Sequence, residues 1–250
     1  MDTKKIAEWI RSYAIENSRE SLVIGISGGI DSSVVSTMCA MTGMPVYVLT
    51  MPIRQIQDQN DLSLKHGEWL VNKFKNVYHS IVPLDSVFNS FQNSIGKPFD
   101  DELAFANSKS RLRMVTLHQI SGSKKGIVVG TGNKVEDFGV GFYTKYGDGG
   151  VDISPIADFY KSEVYGLAKE LNILQEIIDA PPTDGLWEDG RTDQDQLGGL
   201  TYDQMERAMD LDDKGAIAIG NDIDLLETYR NIRQQNLHKM NPIPIYKKEQ

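Results

Sequence analysis

Two hydrophobic periods alternate along this chain. Between residues 3 and 17, Ile6, Trp9, Ile10, Tyr13 and Ala14 recur at helical spacing, which predicts an amphipathic helix. Residues 22–26 are then apolar without interruption, as in a strand buried on both faces. The two patterns keep trading places. Helices are predicted over 31–41, 58–74, 86–95 and 101–120, and strands over 45–49, 76–82 and 126–130. Further helices are expected over 161–172, 201–210 and 222–236. Strands separated by helices predict an α/β fold, a doubly wound parallel sheet flanked by helices. Ligands of such sheets bind beyond the carboxyl ends of the strands. The turns after Ile26 and Gly130, both rich in small polar residues, are therefore where chemistry is expected.

One stretch follows neither period. Residues 181–199, "PPTDGLWEDGRTDQDQLGG", are acidic and rich in Gly and Asp, which predicts a mobile covering loop. The remaining pattern, at 250 residues and 40% hydrophobic, suits a single domain over 1–250. A net charge of −9 argues against nucleic acid as the main partner, because phosphate neutralisation needs clustered Lys and Arg. A local basic pocket for a small anion stays compatible with it. No apolar run approaches about 18 residues, and charges interrupt the N-terminus where a signal peptide needs an apolar core. No membrane partner and a cytoplasmic location are expected. Cys39 is the single cysteine, so no intrachain disulfide forms, which fits a reducing compartment.

The first suspect turn reads "SGGIDSS", residues 27–33. Gly28 and Gly29 let the backbone approach an anion closely. The helix that follows offers unpaired N–H groups and the positive end of its dipole. Ser27, Ser32 and Ser33 add hydroxyl donors. Asp31 repels phosphate unless a cation lies between them, so Mg²⁺ held by Asp31 and by phosphates is the economical reading. Asp31 also reads as an ordinary first-turn helix acid. The string matches neither G-x-x-x-x-G-K-[ST] nor G-x-G-x-x-G. It resembles the SGGxDS signature of the PP-loop ATP pyrophosphatases, which grip the β,γ-pyrophosphate of ATP and transfer AMP. That resemblance implies an adenine nucleotide alpha hydrolase-like fold, with ATP held by Gly25, Ile26, Ser27, Gly28, Gly29, Asp31 and Ser32.

The second suspect turn opens a longer stretch, "GTGNKVEDFGVGFYTKYGDGGVDISPIADFYKSEVY", residues 130–165. It closely resembles the core of the NAD synthetases. "NSKSRLRM" at 107–114, the 181–204 segment and "LHKMNPIP" at 237–244 resemble further motifs of that family, in the expected order. The resemblance implies that Glu136 completes the Mg²⁺ site with Asp31. It implies ATP contacts at Thr131, Lys161 and Thr183. Arg111, Lys145, Asp152, His238 and Lys239 become partners of the substrate, nicotinic acid adenine dinucleotide (deamido-NAD). Taken singly these residues read otherwise: Glu136 as a solvent-facing acid, Lys161 as a solvated lysine, Thr183 as a turn residue. Arg111 reads as a helix-surface arginine beside Arg113, Asp152 as a turn cap, and His238 and Lys239 as a frayed basic tail. Asp148 reads as a turn-shaping residue. The stretch 137–143 runs slightly longer than in the shortest relatives. The adenine contacts after the second strand, near Thr50 and Arg54, stay open.

The reaction implied is amidation of deamido-NAD by ammonia at the expense of ATP, giving NAD, AMP and pyrophosphate through an acyl-adenylate. Ammonia is the expected donor because a glutaminase needs a cysteine nucleophile and a further domain, and Cys39 lies inside the helix after the glycine turn. A separate glutaminase subunit is the other source, and nothing in the sequence supports one. A homodimer is also implied. Leu112, Val115 and Leu117 of the 101–120 helix are candidate interface residues, though core packing explains them equally. Two other functions compete: another PP-loop amidotransferase or adenylate-forming ligase, and an adenine-nucleotide-binding module without catalysis. The motifs at 130–165 argue against the first, and the paired acids Asp31 and Glu136 against the second.

Overall fold

The computed structural model describes residues 2–54, 57–187 and 189–248, with the side chains of 57–59 excepted; residue 188 of the 181–199 segment thus lies outside the described residues. Four strands, β1 (Ser21–Gly25), β2 (Val46–Thr50), β3 (Val77–Ile81) and β4 (Gly126–Val128), form one sheet in the order β3-β2-β1-β4. Every neighbouring pair is parallel, so each connection must cross over through a helix. The chain enters through α1 (Thr3–Glu16), and α2 (Ile30–Met41) and α3 (Gln57–Lys73) supply the next two crossovers. Between β3 and β4 run α4 (Asp85–Ile95), a 3₁₀ turn (Lys97–Phe99) and α5 (Glu102–Ser123). A π-helical turn (Lys134–Val140) follows β4, and then α6 (Lys161–Leu171), α7 (Gln175–Ile178), α8 (Asp193–Gln196), α9 (Tyr202–Asp213) and α10 (Asn221–Met240).

Every helix and strand expected from periodicity is present, with most ends displaced by three residues or fewer. Four short elements were not anticipated: the 3₁₀ turn, the π-helical turn, α7 and α8. Helix α10 also continues past 236, so His238 and Lys239 sit in its last turn rather than in a frayed tail.

Strands β1, β2 and β4 are covered on both faces, which explains their apolar runs, while the edge strand β3 leaves Tyr78 and Ile81 exposed. Leu22 and Ile24 point into one layer with Ile10, Met38, Val164 and Leu167. Val23 points the other way, toward Phe88, Met114 and Leu117. Helix α2 is buried almost all round, and Cys39 within it is fully covered. Burial pushes that thiol far up, so it is no nucleophile. Of the three apolar residues expected to serve an interface on α5, Leu117 is in the core and Leu112 packs against it. Only Val115 faces outward. A third cluster, including Val135, Val140, Met205, Met209, Leu226 and Tyr229, fastens the π-helical turn to α9 and α10. That cluster fixes the wall opposite the glycine turn. Among the described residues, no helix is long and apolar enough to cross a membrane.

One buried group makes the fold pH-sensitive. His66 is fully buried, with Nε2 2.9 Å from Ser36 Oγ and no partner for Nδ1 among the described residues. Burial, with His79 nearby, pushes its imidazole down to about 3. In the unfolded chain it titrates near the ordinary value of about 6.5. Between those two values the unfolded chain binds the extra proton, so stability is full above about 6.5 and falls as pH drops toward 3. Denaturant titrations of wild type and His66→Asn across that window are expected to show a shallower pH slope in the variant. Parallel slopes would remove His66 as the cause.

Candidate active site

Above the carboxyl ends of β1 and β4 lies a cavity of about 480 Å³. This is where strand order reverses, the usual ligand position in an open α/β sheet. The glycine turn forms its floor. Gly28 sits at φ +90°, a conformation that favours glycine, and so turns the backbone toward the cavity. Ser32 Oγ donates to Gly29 O at 3.0 Å, and Ser33 Oγ donates to the same carbonyl at 2.9 Å. Ser27 N donates to Ser32 Oγ at 3.2 Å, closing the loop on itself. No side chain caps the start of α2 at Gly29. Its first amides and dipole therefore face the cavity, a good seat for phosphate.

Asp31 and Glu136 converge from opposite walls. Lys161 Nζ donates to Asp31 Oδ2 at 2.6 Å and to Glu136 Oε1 at 3.0 Å. The Lys161 side chain is only 4% exposed, so this is no solvated lysine. Burial opposes its charge, yet the two carboxylates raise the ammonium above its ordinary value and keep it protonated. Burial likewise opposes ionisation of Glu136, but Lys161, Tyr202 and Asn133 outweigh it and hold the carboxyl low. For Asp31, burial wins: its carboxyl is pushed up despite Lys161, and Glu136 adds to the push. With both carboxyls ionised, one ammonium does not neutralise them. The trio would accept more positive charge. No cluster of three or more His, Cys, Asp or Glu suited to a metal occurs among the described residues. Mg²⁺ commonly takes only one or two carboxylates, completing its shell with water and phosphate oxygens. Asp31 and Glu136 fit that donor set.

Asn133 organises the trio. It is fully buried, donates from Nδ2 to Asp31 Oδ1 at 3.1 Å, and accepts at Oδ1 from the amides of Val135 and Glu136. It thus starts the π-helical turn and ties it to α2. The turn contains Glu136 and overlaps residues 137–143. π-turns of this kind cluster at functional sites. It also brings Asp137 to the cavity, where burial pushes the carboxyl well up and Asp148 and Glu136 add to the effect. A side chain at Gly132 would collide with the Asp137 carboxylate.

The remaining predicted residues divide. Gly25, Ile26, Ser27, Gly28, Gly29, Asp31, Ser32, Thr131, Glu136, Lys161, Thr183 and Lys239 line the cavity. Thr183 Oγ1 also donates to Arg191 O at 3.2 Å within its own loop. Arg111, Lys145 and His238 lie outside the lining and form a chain across its edge: Arg111 Nε donates to Lys145 O, and Lys145 Nζ to His238 O. Lys239 Nζ donates to Tyr143 O at 2.8 Å. Asp152 also stays outside. Its Oδ2 accepts from Val128 N at 2.7 Å, and its own amide donates to Val128 O, so the residue extends the edge of β4. Asp148 accepts from Ser110 Oγ and Thr144 N, which fits a turn-shaping residue.

Several residues in or beside the cavity were not assigned to the site from the sequence. Arg113, two positions beyond Arg111 and so on another face of α5, lines the cavity and donates from Nε to Met51 O at 3.0 Å. Burial lowers its guanidinium to about 10, and nearby acids offset part of that. Met51 and Leu117 crowd the position where Gly25 would carry a side chain. Thr50 turns instead to His79, and Arg54 to Asn89 and Gln92. Tyr202 donates to Glu136 Oε1 at 2.6 Å, and its hydroxyl lies 2.9 Å from Asp193 Oδ2. Asn133 had a legible signal, an asparagine just before a helical start. Tyr202 and Asp193 had none.

Fold and site together define an α/β protein of the PP-loop class, with an acid pair and a buried lysine beside the glycine turn. A sequence model described as NAD synthase matches residues 2–250. The chain belongs to the NAD synthase family. Among its relatives is the NH₃-dependent NAD⁺ synthetase of Thermoplasma acidophilum, 38% identical, with 86% of this chain and 85% of that protein covered. Among solved structures, NMN synthetase from Francisella tularensis superposes with a TM-score of 0.86 at 30% identity, covering 98% and 96% of the two chains. The NH₃-dependent NAD synthetase of Campylobacter jejuni superposes with a TM-score of 0.80 at 26% identity, covering 98% and 97%.

Proposed function

We propose that the chain catalyses ATP-dependent amidation of deamido-NAD by ammonia, giving NAD, AMP and pyrophosphate. The observation that carries this reading is the convergence of Asp31 and Glu136 beside an uncapped helix start, within a cavity of this family. Asp31 and Glu136 would hold Mg²⁺, which supplies charge neutralisation for the triphosphate. The glycine turn and the first amides of α2 bind the leaving pyrophosphate. Lys161, freed from part of its carboxylate pairing, provides a point charge for a phosphate oxygen. Thr131 and Thr183 add neutral donors from opposite walls. The substrate carboxylate attacks the α-phosphorus, and pyrophosphate leaves. Ammonia then attacks the acyl-adenylate carbonyl, and AMP leaves. The protein contributes positioning and preorganised charge, and no side chain is required as a covalent nucleophile. Lys239, with Arg111, Lys145 and His238 beside it, would meet the anionic groups of the substrate. Asp152, held at the edge of β4, would add a polar contact to the substrate. A homodimer, with Val115 among its outward apolar residues, completes the proposal.

A second reading is favoured by one observation, the near full-length superposition on a protein titled NMN synthetase. There the acid amidated would be the mononucleotide. Purified protein with ATP, Mg²⁺ and ammonium, offered either nicotinic acid adenine dinucleotide or nicotinic acid mononucleotide, decides between them. Turnover is expected with the dinucleotide and ammonium, without need of glutamine. Preference for the mononucleotide would replace the substrate. No amidation of either would return the chain to other PP-loop ligases or to a binding module.

A further inference from the structure

We propose that Tyr202 is a positioning residue that latches the 181–199 segment to the Mg²⁺-holding acid Glu136. The proposal rests on the metal assignment above and goes beyond it. Helix α8, inside that segment, begins at Asp193, and α9 begins at Tyr202. The Tyr202 hydroxyl stands between two carboxylates, 2.6 Å from Glu136 Oε1 and 2.9 Å from Asp193 Oδ2. Its ring also faces Lys161, with Nζ 4.8 Å from the ring centre. The residue therefore touches the acid and the lysine of the site as well as the segment.

Asp193 has few alternatives. It is 5% exposed, and its other oxygen, Oδ1, is buried without a partner among the described residues. A buried carboxyl group with one empty oxygen is costly unless its remaining bond is good. A phenol has a single proton to give, and two carboxylates face it. The geometry is satisfied when Asp193 carries a proton and donates it to Tyr202, which donates its own to Glu136. Another bond ties the segment to α5, where Lys109 Nζ donates to Leu186 O at 2.9 Å, and Trp187 Nε1 donates to Gln196 inside the segment. The route from the segment to the acid pair runs through Tyr202. Closure of the segment and occupancy of the acid pair are thereby coupled: a cation that fixes Glu136 also fixes the acceptor of the latch.

The test compares wild type, Tyr202→Phe, Asp193→Ala, the double variant, and Asp193→Asn. Two quantities are read in each: the rate of tryptic cleavage after Arg191 without nucleotide, and the affinity for Mg²⁺ with a non-hydrolysable ATP analogue by calorimetry. Tyr202→Phe and Asp193→Ala are each expected to speed cleavage about tenfold and to weaken nucleotide binding several-fold, as for loss of a hydrogen bond to a charged group. The double variant should be no worse than either single one. Asp193→Asn, whose amide donates where the protonated acid does, should stay within about twofold of wild type. Multiplicative effects in the double variant, or an Asn variant as damaged as the Ala variant, would overturn the latch. If wild type binds no Mg²⁺-nucleotide, the functional reading fails, and the cleavage cycle still decides the latch.

Discussion

Asp31→Asn is expected to lower ammonia-dependent NAD formation by about 10²–10³-fold while leaving the fold in place. The two halves of that expectation have separate causes. Asparagine keeps an oxygen where Asn133 Nδ2 donates at 3.1 Å, so the link between α2 and the π-helical turn survives. Lys161 keeps Glu136 as its counter-charge at 3.0 Å. The new amide nitrogen faces the Lys161 ammonium where Oδ2 accepted at 2.6 Å, so thermal unfolding should fall modestly while the fold stays assembled. What disappears is one of the two charges proposed to draw a divalent cation to the glycine turn. The loss should appear as a raised requirement for Mg²⁺ as well as a reduced maximal rate. Glu136→Gln should behave alike, because the pair acts as one unit and its losses are not additive. Near-normal turnover in Asp31→Asn, at limiting Mg²⁺, would end the case for a metal held by this pair.

The same residues show how far a sequence carries. The sheet and its crossovers are legible because local periodicity determines them: a run such as Leu22–Ile24 must be buried on both faces, and α1 must bury one stripe. The glycine turn is legible because its elements, two glycines, three hydroxyls and an acid, are contiguous. The other half of the site is not. Glu136 and Lys161 read singly as surface charges, and only folding places them against Asp31. Arg111 and Arg113 differ by two positions, and the sequence offers no rule for which faces the cavity. Helix geometry places Arg113 inside and leaves Arg111 exposed beside Lys145. Asp152 has a local task that its motif did not reveal: its carboxylate accepts from Val128 N at the edge of β4. The segment 181–199 lacks a period because its order comes from capping boxes and from distant partners such as Lys109.

Lys161→Met should be the most damaging single change to stability. The methionine fills similar volume but leaves Asp31 and Glu136 buried against each other with no counter-charge. Breaking a buried ion pair by removing one partner costs about 3–5 kcal/mol. For a chain of this size that corresponds to a fall in Tm of roughly 6–20 °C. The pH dependence then has a definite sign. Burial and mutual repulsion in the variant hold the folded-state carboxyls above their unfolded values, so the folded state binds more protons. Its stability relative to wild type must rise as pH falls from about 7.5 toward 5, narrowing the gap, because the His66 contribution is common to both proteins. Added Mg²⁺ should act in the same direction, raising Tm more in the variant than in wild type, because binding to the folded state alone stabilises it. Catalysis would stay low under both rescues, since neither restores the ammonium that meets the phosphate. A variant whose deficit is the same at both pH values and indifferent to Mg²⁺ would mean that the two carboxylates do not share one electrostatic site, and the proposed metal seat would fall with that result.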